Sequence, residues 1–284
     1  MLPDALFTIF GQKVYMYGIC IAVGIVLCLL VFFIYTKKGK MTTEVQDFTF
    51  FVAIIAIAIG FAAAALYQSI YTWIDTGKFN FGCDGITFMG GVIGGAAAFI
   101  LCYFVGGKLY FKGPLLGIHK KEFNITFRVA PCCITLAHAF GRIGCMCAGC
   151  CYGKESDVGF TIFNAGANRI PVQLYESLFL FALFAVLSVL YFKRCNITMS
   201  IYLIAYAVWR FIIEFFRGDV KERGDTFLGL FPSQWQSVAF LAVGVGLIIY
   251  YIVKKIPLFF PEEAVAEGDA GEENVTEDND EENK

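Results

Sequence analysis

Charge is scarce in this chain, and histidine is nearly absent. Only 16% of its 284 residues are Asp, Glu, Lys or Arg and just two are His, whereas 58% are hydrophobic and 17% aromatic. That balance excludes an ordinary soluble domain and marks a membrane protein. A basic leader is missing too: "MLPDALFTIF" has no Lys or Arg, and the apolar run behind it is too long for a cleavable signal. Acidic residues are few until Pro261, after which eleven of the 24 cluster in "EEAVAEGDAGEENVTEDNDEENK". This stretch lacks aromatics and repels itself, so residues 261–284 are expected to form a disordered acidic cytoplasmic tail. Without it, residues 1–261 hold 21 basic against 13 acidic residues, a formal +8.

What the chain does have is long apolar runs. About 20 residues are needed to cross the hydrocarbon core as a helix. Seven segments qualify: Val14–Thr36, Gln46–Ile70, Phe88–Phe111, Phe127–Cys145, Val172–Phe192, Ser200–Phe216 and Gln236–Val253. An all-α polytopic fold with about seven transmembrane helices within residues 1–260 is therefore expected. Basic residues are concentrated in one set of connections: Lys37, Lys38 and Lys40, then Lys112, Lys120, Lys121 and Arg128, then Lys193 and Arg194, then Lys254 and Lys255. The positive-inside tendency makes that side cytoplasmic, with the N-terminus outside and the C-terminus within.

Eleven cysteines do not spell a disulfide scaffold here, because Cys20, Cys28, Cys102 and Cys195 lie in or near apolar spans, where cysteine acts as a small hydrophobe. The cluster Cys145, Cys147, Cys150 and Cys151 has a C-x-C-x-x-C-C spacing that fits no two-knuckle zinc pattern, so no metal and no cofactor is expected.

Ionisable groups inside apolar spans are functional candidates, since each costs about 2.5–3.5 kcal/mol at mid-membrane on insertion scales. In "HAFGRIGCMCAGCCYG", His138 and Arg142 stand at i and i+4 on one helix face. "PVQLYE" opens the fifth span with Gln173, Tyr175 and Glu176. In "YAVWRFIIEFFRGD", Tyr206, Arg210, Glu214 and Arg217 recur at spacings of four, four and three and form one polar stripe. Glu214 is placed to bridge Arg210 and Arg217. The two arginines and one carboxylate of this stripe, with Arg142 added, leave an excess of positive charge that calls for an anion, and guanidinium forks match phosphate. Phospholipid headgroups are the nearest abundant source in a bilayer. "GITFMGGVIGG" places Gly90, Gly91, Gly94 and Gly95 at the start of the third span; close helix packing and backbone approach to an anion are both open there.

Together with "SQWQS", these motifs make the chain similar to the bacterial prolipoprotein diacylglyceryl transferases over nearly its whole length. The resemblance implies transfer of the diacylglyceryl group of phosphatidylglycerol to the lipobox cysteine thiol of a preprolipoprotein signal peptide. A thioether forms, and glycerol 1-phosphate leaves, at the outer face of the bacterial cytoplasmic membrane. Arg142 and Arg210 match the family's essential arginines, with Glu214 and Arg217 in support. Tyr17 and Tyr206 match tyrosines of its site, and Gly153 a glycine of its signature. Arg142, Tyr17, Gly90, Gly91, Gly153, Gln173, Tyr206, Glu214 and Arg217 are thus the expected substrate-binding residues, and Arg142, Arg210, His138 and Glu176 the expected catalytic ones.

The chain departs from the family at three places. Many members have histidine where this sequence has Met89, and that histidine has been cast as the base; Cys145 and Cys150 stand where others have asparagine and glutamate. His138 or Glu176 is expected to take the thiol proton instead. The alternative reading is a non-catalytic or altered-specificity relative that binds anionic phospholipid or lipoprotein precursors. Met89 favours it; retention of Arg142, Tyr206, Arg210, Glu214 and Arg217 opposes it.

Overall fold

The computed structural model describes residues 5–9, 11–77, 79, 88–161, 167–219 and 226–259. The acidic segment 261–284 lies outside them. A short hairpin, β1 (Phe7–Ile9) and β2 (Gln12–Val14), turns at Gly11, whose φ is 79°, and leads into α1 (Met16–Lys38). There follow α2 (Thr43–Thr76), α3 (Phe88–Leu101), a π-helical turn (Cys102–Gly106), α4 (Gly107–Tyr110) and α5 (Pro114–Ala148). A two-stranded ribbon of β3 (Glu155–Thr161) and β4 (Asn168–Arg169) precedes α6 (Val172–Phe192), α7 (Thr198–Ile213), a 3-10 turn (Glu214–Phe216) and α8 (Pro232–Val253).

Among the described residues seven helices are long and apolar enough to cross a membrane: Met16–Lys38, Thr43–Ile74, Gly90–Tyr110, Pro114–Ala148, Val172–Phe192, Thr198–Phe216 and Pro232–Val253. The seven expected spans are therefore present. The fourth is much longer than the apolar run, because "LLGIHKKEFNIT" continues the helix on the amino-terminal side with charged residues that a hydropathy reading discards. Much of the apolar surface is exposed, as at Ile93, Leu101 and Ile252, which suits helices whose solvent is lipid tails.

The helices divide into two compact units, residues 29–129 and residues 1–28 with 130–284. In the first, α2 and α3 approach at their backbones. A side chain on Gly60 would come within 3.2 Å of the Gly91 carbonyl oxygen, and one on Gly90 within 2.9 Å of the Ala63 carbonyl oxygen. The small-residue stripe thus does what the packing reading expects. The second histidine, His119, is buried in this unit, stacked on Tyr103 at 4.2 Å and set edge-on to Phe48.

In the second unit α1 crosses α5 at two glycines. A Cβ on Gly24 would lie 3.0 Å from the Phe140 Cβ, and one on Gly144 would lie 3.0 Å from the Tyr17 ring. The Ser177 hydroxyl donates to the Ala139 carbonyl at 3.1 Å and ties α6 to α5. Phe179 of α6 stacks on Trp209 of α7 at 4.4 Å, and Gly244 of α8 fits against Leu203 and Ile204 of α7. The "SQWQS" segment opens α8: Pro232 occupies the first turn, where no N–H is needed, and the Phe231 N–H donates to Gln234 Oε1 at 3.0 Å.

Candidate active site

The polar residues of the second unit collect on three elements. α5 contributes His138 and Arg142, α6 contributes Gln173 and Glu176, and α7 with its 3-10 extension contributes Tyr206, Arg210, Glu214 and Arg217. Arg142 Nε lies 3.0 Å from Glu176 Oε2, and His138 Nε2 lies 3.9 Å from the other oxygen, Oε1. The Tyr206 hydroxyl donates to that same Oε1 at 3.3 Å, and its ring meets the His138 ring edge-on at 5.1 Å. Glu176 is therefore the hub of this group, and Arg142, Arg210 and Arg217 all lie within charge–charge range of it.

The stripe on α7 pairs as its spacing requires. Glu214, fully buried, sits 3.0 Å from Arg210 Nη2 and 3.6 Å from Arg217 Nη1. Sequence reasoning missed one partner: Asp219, also buried, takes Arg217 in a two-point pair through Nε, at 2.9 Å, and Nη2. The available signal was the carboxylate two residues past Arg217, outside the four, four and three spacing of the stripe. Asp219 changes the charge argument. Arg142, Arg210 and Arg217 face Glu176, Glu214 and Asp219, so the expected excess of positive charge is absent among the described residues.

What the cluster offers an anion is donors rather than net charge. A guanidinium has five N–H bonds. Arg142 Nε is paired by charge with Glu176 and the arginine bonds the Tyr206 hydroxyl, while Arg210 Nη2 is paired by charge with Glu214. Further N–H groups on both arginines have no carboxylate partner among the described residues. A preorganised, mostly buried donor set of this kind is worth far more than the same groups in water.

Around Gly153 the backbone closes tightly. Its N–H donates to the Ile170 carbonyl at 3.0 Å, the Lys154 N–H to the Phe216 carbonyl at 2.9 Å, and the Gly218 N–H to the Tyr152 carbonyl at 3.0 Å. A Cβ on Gly153 would meet the Ile170 oxygen at 2.5 Å and the Phe216 oxygen at 3.1 Å, so only glycine fits between the segment before α6 and the segment after α7. Arg217, antiparallel to Gly153 in this bridge, owes its position to it.

The end of α5 is shaped by the cysteine cluster. Gly149, at φ 72°, caps the helix: its N–H bonds Met146 O at 3.2 Å and the Cys150 N–H bonds Cys145 O at 3.2 Å, the paired pattern of a left-handed helix stop. Cys151 follows in the same left-handed region at φ 58°, a conformation costing a β-carbon residue about 1 kcal/mol or more. The Gln173 Nε2 group donates to the Cys150 carbonyl at 2.6 Å and locks the turn to α6. Its buried Oε1 has no hydrogen-bond partner among the described residues. This double reversal brings the sulfur atoms of Cys145, Cys150 and Cys151 within 4.8 Å of one another. Hydrogen bonds from Cys145 and Cys150, with Arg142 and Arg217 nearby, hold the Cys151 thiol below the usual thiol range, while Cys150, hydrogen-bonded to Cys145 and Cys151, is pushed up. Cys147 points away, to Cys20 on α1.

Of the remaining expected residues, Tyr17 lies against Gly144 on the same stretch of α5 as Arg142. Gly90 and Gly91 stand in the first turn of α3, within residues 29–129, packed on α2.

Comparison with known proteins agrees with these motifs. A family model described as prolipoprotein diacylglyceryl transferase matches residues 4–250. The chain is 34% identical over 263 residues to phosphatidylglycerol–prolipoprotein diacylglyceryl transferase 2 of Clostridium perfringens, covering 87% of this chain and 93% of that one. It is 33% identical to the Clostridium tetani enzyme of the same activity, covering 86% and 96%, and 29% identical to that of Clostridioides difficile, covering 88% and 95%. A buried triple-arginine site on a seven-helix frame and a match across nearly the entire chain converge on one conclusion: the chain belongs to the prolipoprotein diacylglyceryl transferase family.

Proposed function

We propose that the protein transfers the diacylglyceryl group of phosphatidylglycerol to the lipobox cysteine thiol of a prolipoprotein, on the extracytoplasmic side of the bacterial cytoplasmic membrane. The observation that supports it most directly is the mostly buried donor array of Arg142 and Arg210, each held by its own carboxylate. In the reaction the glyceryl C–O bond to phosphate breaks, a C–S bond to the acceptor forms, and glycerol 1-phosphate departs. Negative charge grows on the leaving phosphate, so fixed donors there lower the barrier selectively. Arginine suits the task because it stays protonated.

In this reading Arg142 and Arg210 bind the leaving phosphate and are the catalytic residues. Glu176 and Glu214 orient them, with His138, Tyr206 and Arg217 around these carboxylates. His138 and Glu176 are thus engaged in holding Arg142, which makes them positioning residues more naturally than acceptors of the thiol proton. Gln173, through its unused buried oxygen, is suited to a donor on the incoming peptide or headgroup. Tyr17 and Gly153 contribute the wall and the backbone geometry of the same region, and the first-turn N–H groups at Gly90 and Gly91 are candidates for a separate anionic contact.

The experiment is transfer of a labelled diacylglyceryl group from phosphatidylglycerol to a lipobox peptide by purified protein. Wild type should turn over, and Arg210→Ala should lose at least about 100-fold, the cost of one transition-state donor. Absence of turnover in folded wild type supplied with lipid and peptide would refute the enzymatic reading in favour of a lipid-binding relative.

A further inference from the structure

The reaction needs its acceptor as a thiolate, and the roles proposed above for His138 and Glu176 in holding Arg142 leave the thiol proton without an assigned acceptor. Beside the arginine array lies a cluster that the transfer chemistry above has not used. Cys145, Cys150 and Cys151 are each partly exposed residues, and their three sulfurs lie within 4.8 Å of one another. Tetrahedral zinc bonded to sulfur at about 2.3 Å separates its ligands by roughly 3.8 Å. The trio is thus at most about 1 Å too open, a gap that side-chain rotation closes. Such proximity is built rather than incidental, since it needs the αL residue Gly149, the αL conformation of Cys151 and the Gln173 bond to the Cys150 carbonyl.

Three protein ligands and one open position are the arrangement of a catalytic zinc, whereas structural sites are closed by four. Cys147, the fourth cysteine of the cluster, faces Cys20 and does not close the site. Its location fits the reaction: Cys145 lies three residues past Arg142 on α5, and Gln173, which grips Cys150, lies three before Glu176 on α6.

We propose that Cys145, Cys150 and Cys151 bind one Zn2+ whose fourth position takes the acceptor thiol of the prolipoprotein; this rests on the transferase reading above. Coordination releases the thiol proton to water and leaves a metal-held thiolate. That sulfur attacks the glyceryl carbon, the C–O bond breaks, and both electrons of that bond leave with the phosphate on Arg142 and Arg210. The thioether is a poor ligand and dissociates, leaving the tris-thiolate zinc for the next turnover. No side-chain base is required.

The test uses the full chain purified in detergent micelles. Elemental analysis should find about one zinc per chain. Co2+ in its place should give tetrahedral visible bands and thiolate-to-cobalt charge transfer, lost in Cys150→Ser and Cys151→Ser and kept in Cys147→Ser. A lipobox peptide should shift the cobalt bands, and the same peptide with serine for cysteine should not. Chelation should remove metal and transfer together, and Zn2+ should restore both. Full transfer by metal-free protein, failure of wild type to bind Zn2+ or Co2+, bands indifferent to the peptide thiol, or two of the three thiols oxidised to a disulfide in the active enzyme would each overturn the proposal. Arg210→Ala separates the two readings, because it should abolish transfer while leaving the cobalt spectrum and its response to the peptide intact. Thiol-sensitive cobalt bands in a wild type that transfers nothing would uphold the site and refute the enzymatic reading.

Discussion

Glu214 is the most exacting point at which to perturb this protein. Its carboxylate is fully buried and answers two guanidinium groups, Arg210 at 3.0 Å and Arg217 at 3.6 Å. Glu214→Gln keeps shape and volume but removes the charge, leaving Arg210 without the carboxylate it contacts and only the more distant charge of Glu176 in range. Breaking one side of a buried ion pair costs about 3–5 kcal/mol, because the remaining charge stays desolvated. Arg217 softens the loss, since Asp219 still holds it at two points, so the lower end, about 3 kcal/mol, applies. At about 2–4 °C per kcal/mol for a chain of this size, Tm should fall by roughly 6–12 °C. Thermal unfolding in micelles followed by circular dichroism measures it. Arg210→Met combined with Glu214→Leu should recover most of the loss, because an apolar pair of similar volume needs no partner. A fall below about 2 °C for Glu214→Gln, or no recovery in the double variant, would show that Glu214 is hydrated and that the dry ion-pair argument is wrong.

Three further outcomes are expected. Gly153→Ala forces a β-carbon to within 2.5 Å of the Ile170 oxygen and 3.1 Å of the Phe216 oxygen, shifting Gly153 and its bridge to Arg217; transfer should fall about 100-fold, as for other displacements of about 1 Å at a reacting centre, with far-ultraviolet dichroism unchanged. Gly24→Ile should lower Tm measurably by wedging α1 from α5 at Phe140, an overpacking cost of about 1–3 kcal/mol, whereas Gly18→Ala, with nothing within 4 Å of its Cβ, should not. Cys151 should be the first thiol alkylated by iodoacetamide in metal-free protein. Hydrogen bonds from Cys145 and Cys150, with Arg142 and Arg217 nearby, lower its pKa, so its rate should fall less between pH 9 and pH 6 than that of an ordinary thiol, which slows about tenfold per unit below pH 8.5; mass spectrometry of the labelled peptides reads this.

How much of this was written in the sequence depends on whether the signal was local. The seven spans were legible because insertion into lipid needs about 20 apolar residues in a row, a one-dimensional property. The Arg210–Glu214–Arg217 relay was legible for the same reason, since i, i+3 and i, i+4 neighbours on a helix touch wherever the helix goes. The glycine stripe in α3 announced close packing, though not that α2 would receive it.

Tertiary structure alone decided the rest. Glu176 stands 34 residues from Arg142 and 30 from Tyr206, and no spacing rule predicts that α6 would turn it into their common partner. Asp219 lies past the helical stripe, and only the segment bridged to Gly153 buries it against Arg217, which removes the expected surplus of positive charge. Cys145, Cys150 and Cys151 match no metal spacing in sequence, because their convergence comes from two left-handed backbone positions, Gly149 and Cys151 on either side of Cys150, which reverse the chain over the helix end. The sequence determined where the membrane is crossed and which charges are carried into it, since each of those costs is borne residue by residue. Which charge neutralises which, and which sulfurs meet, depended on contacts between distant segments, and only the packed chain supplies those.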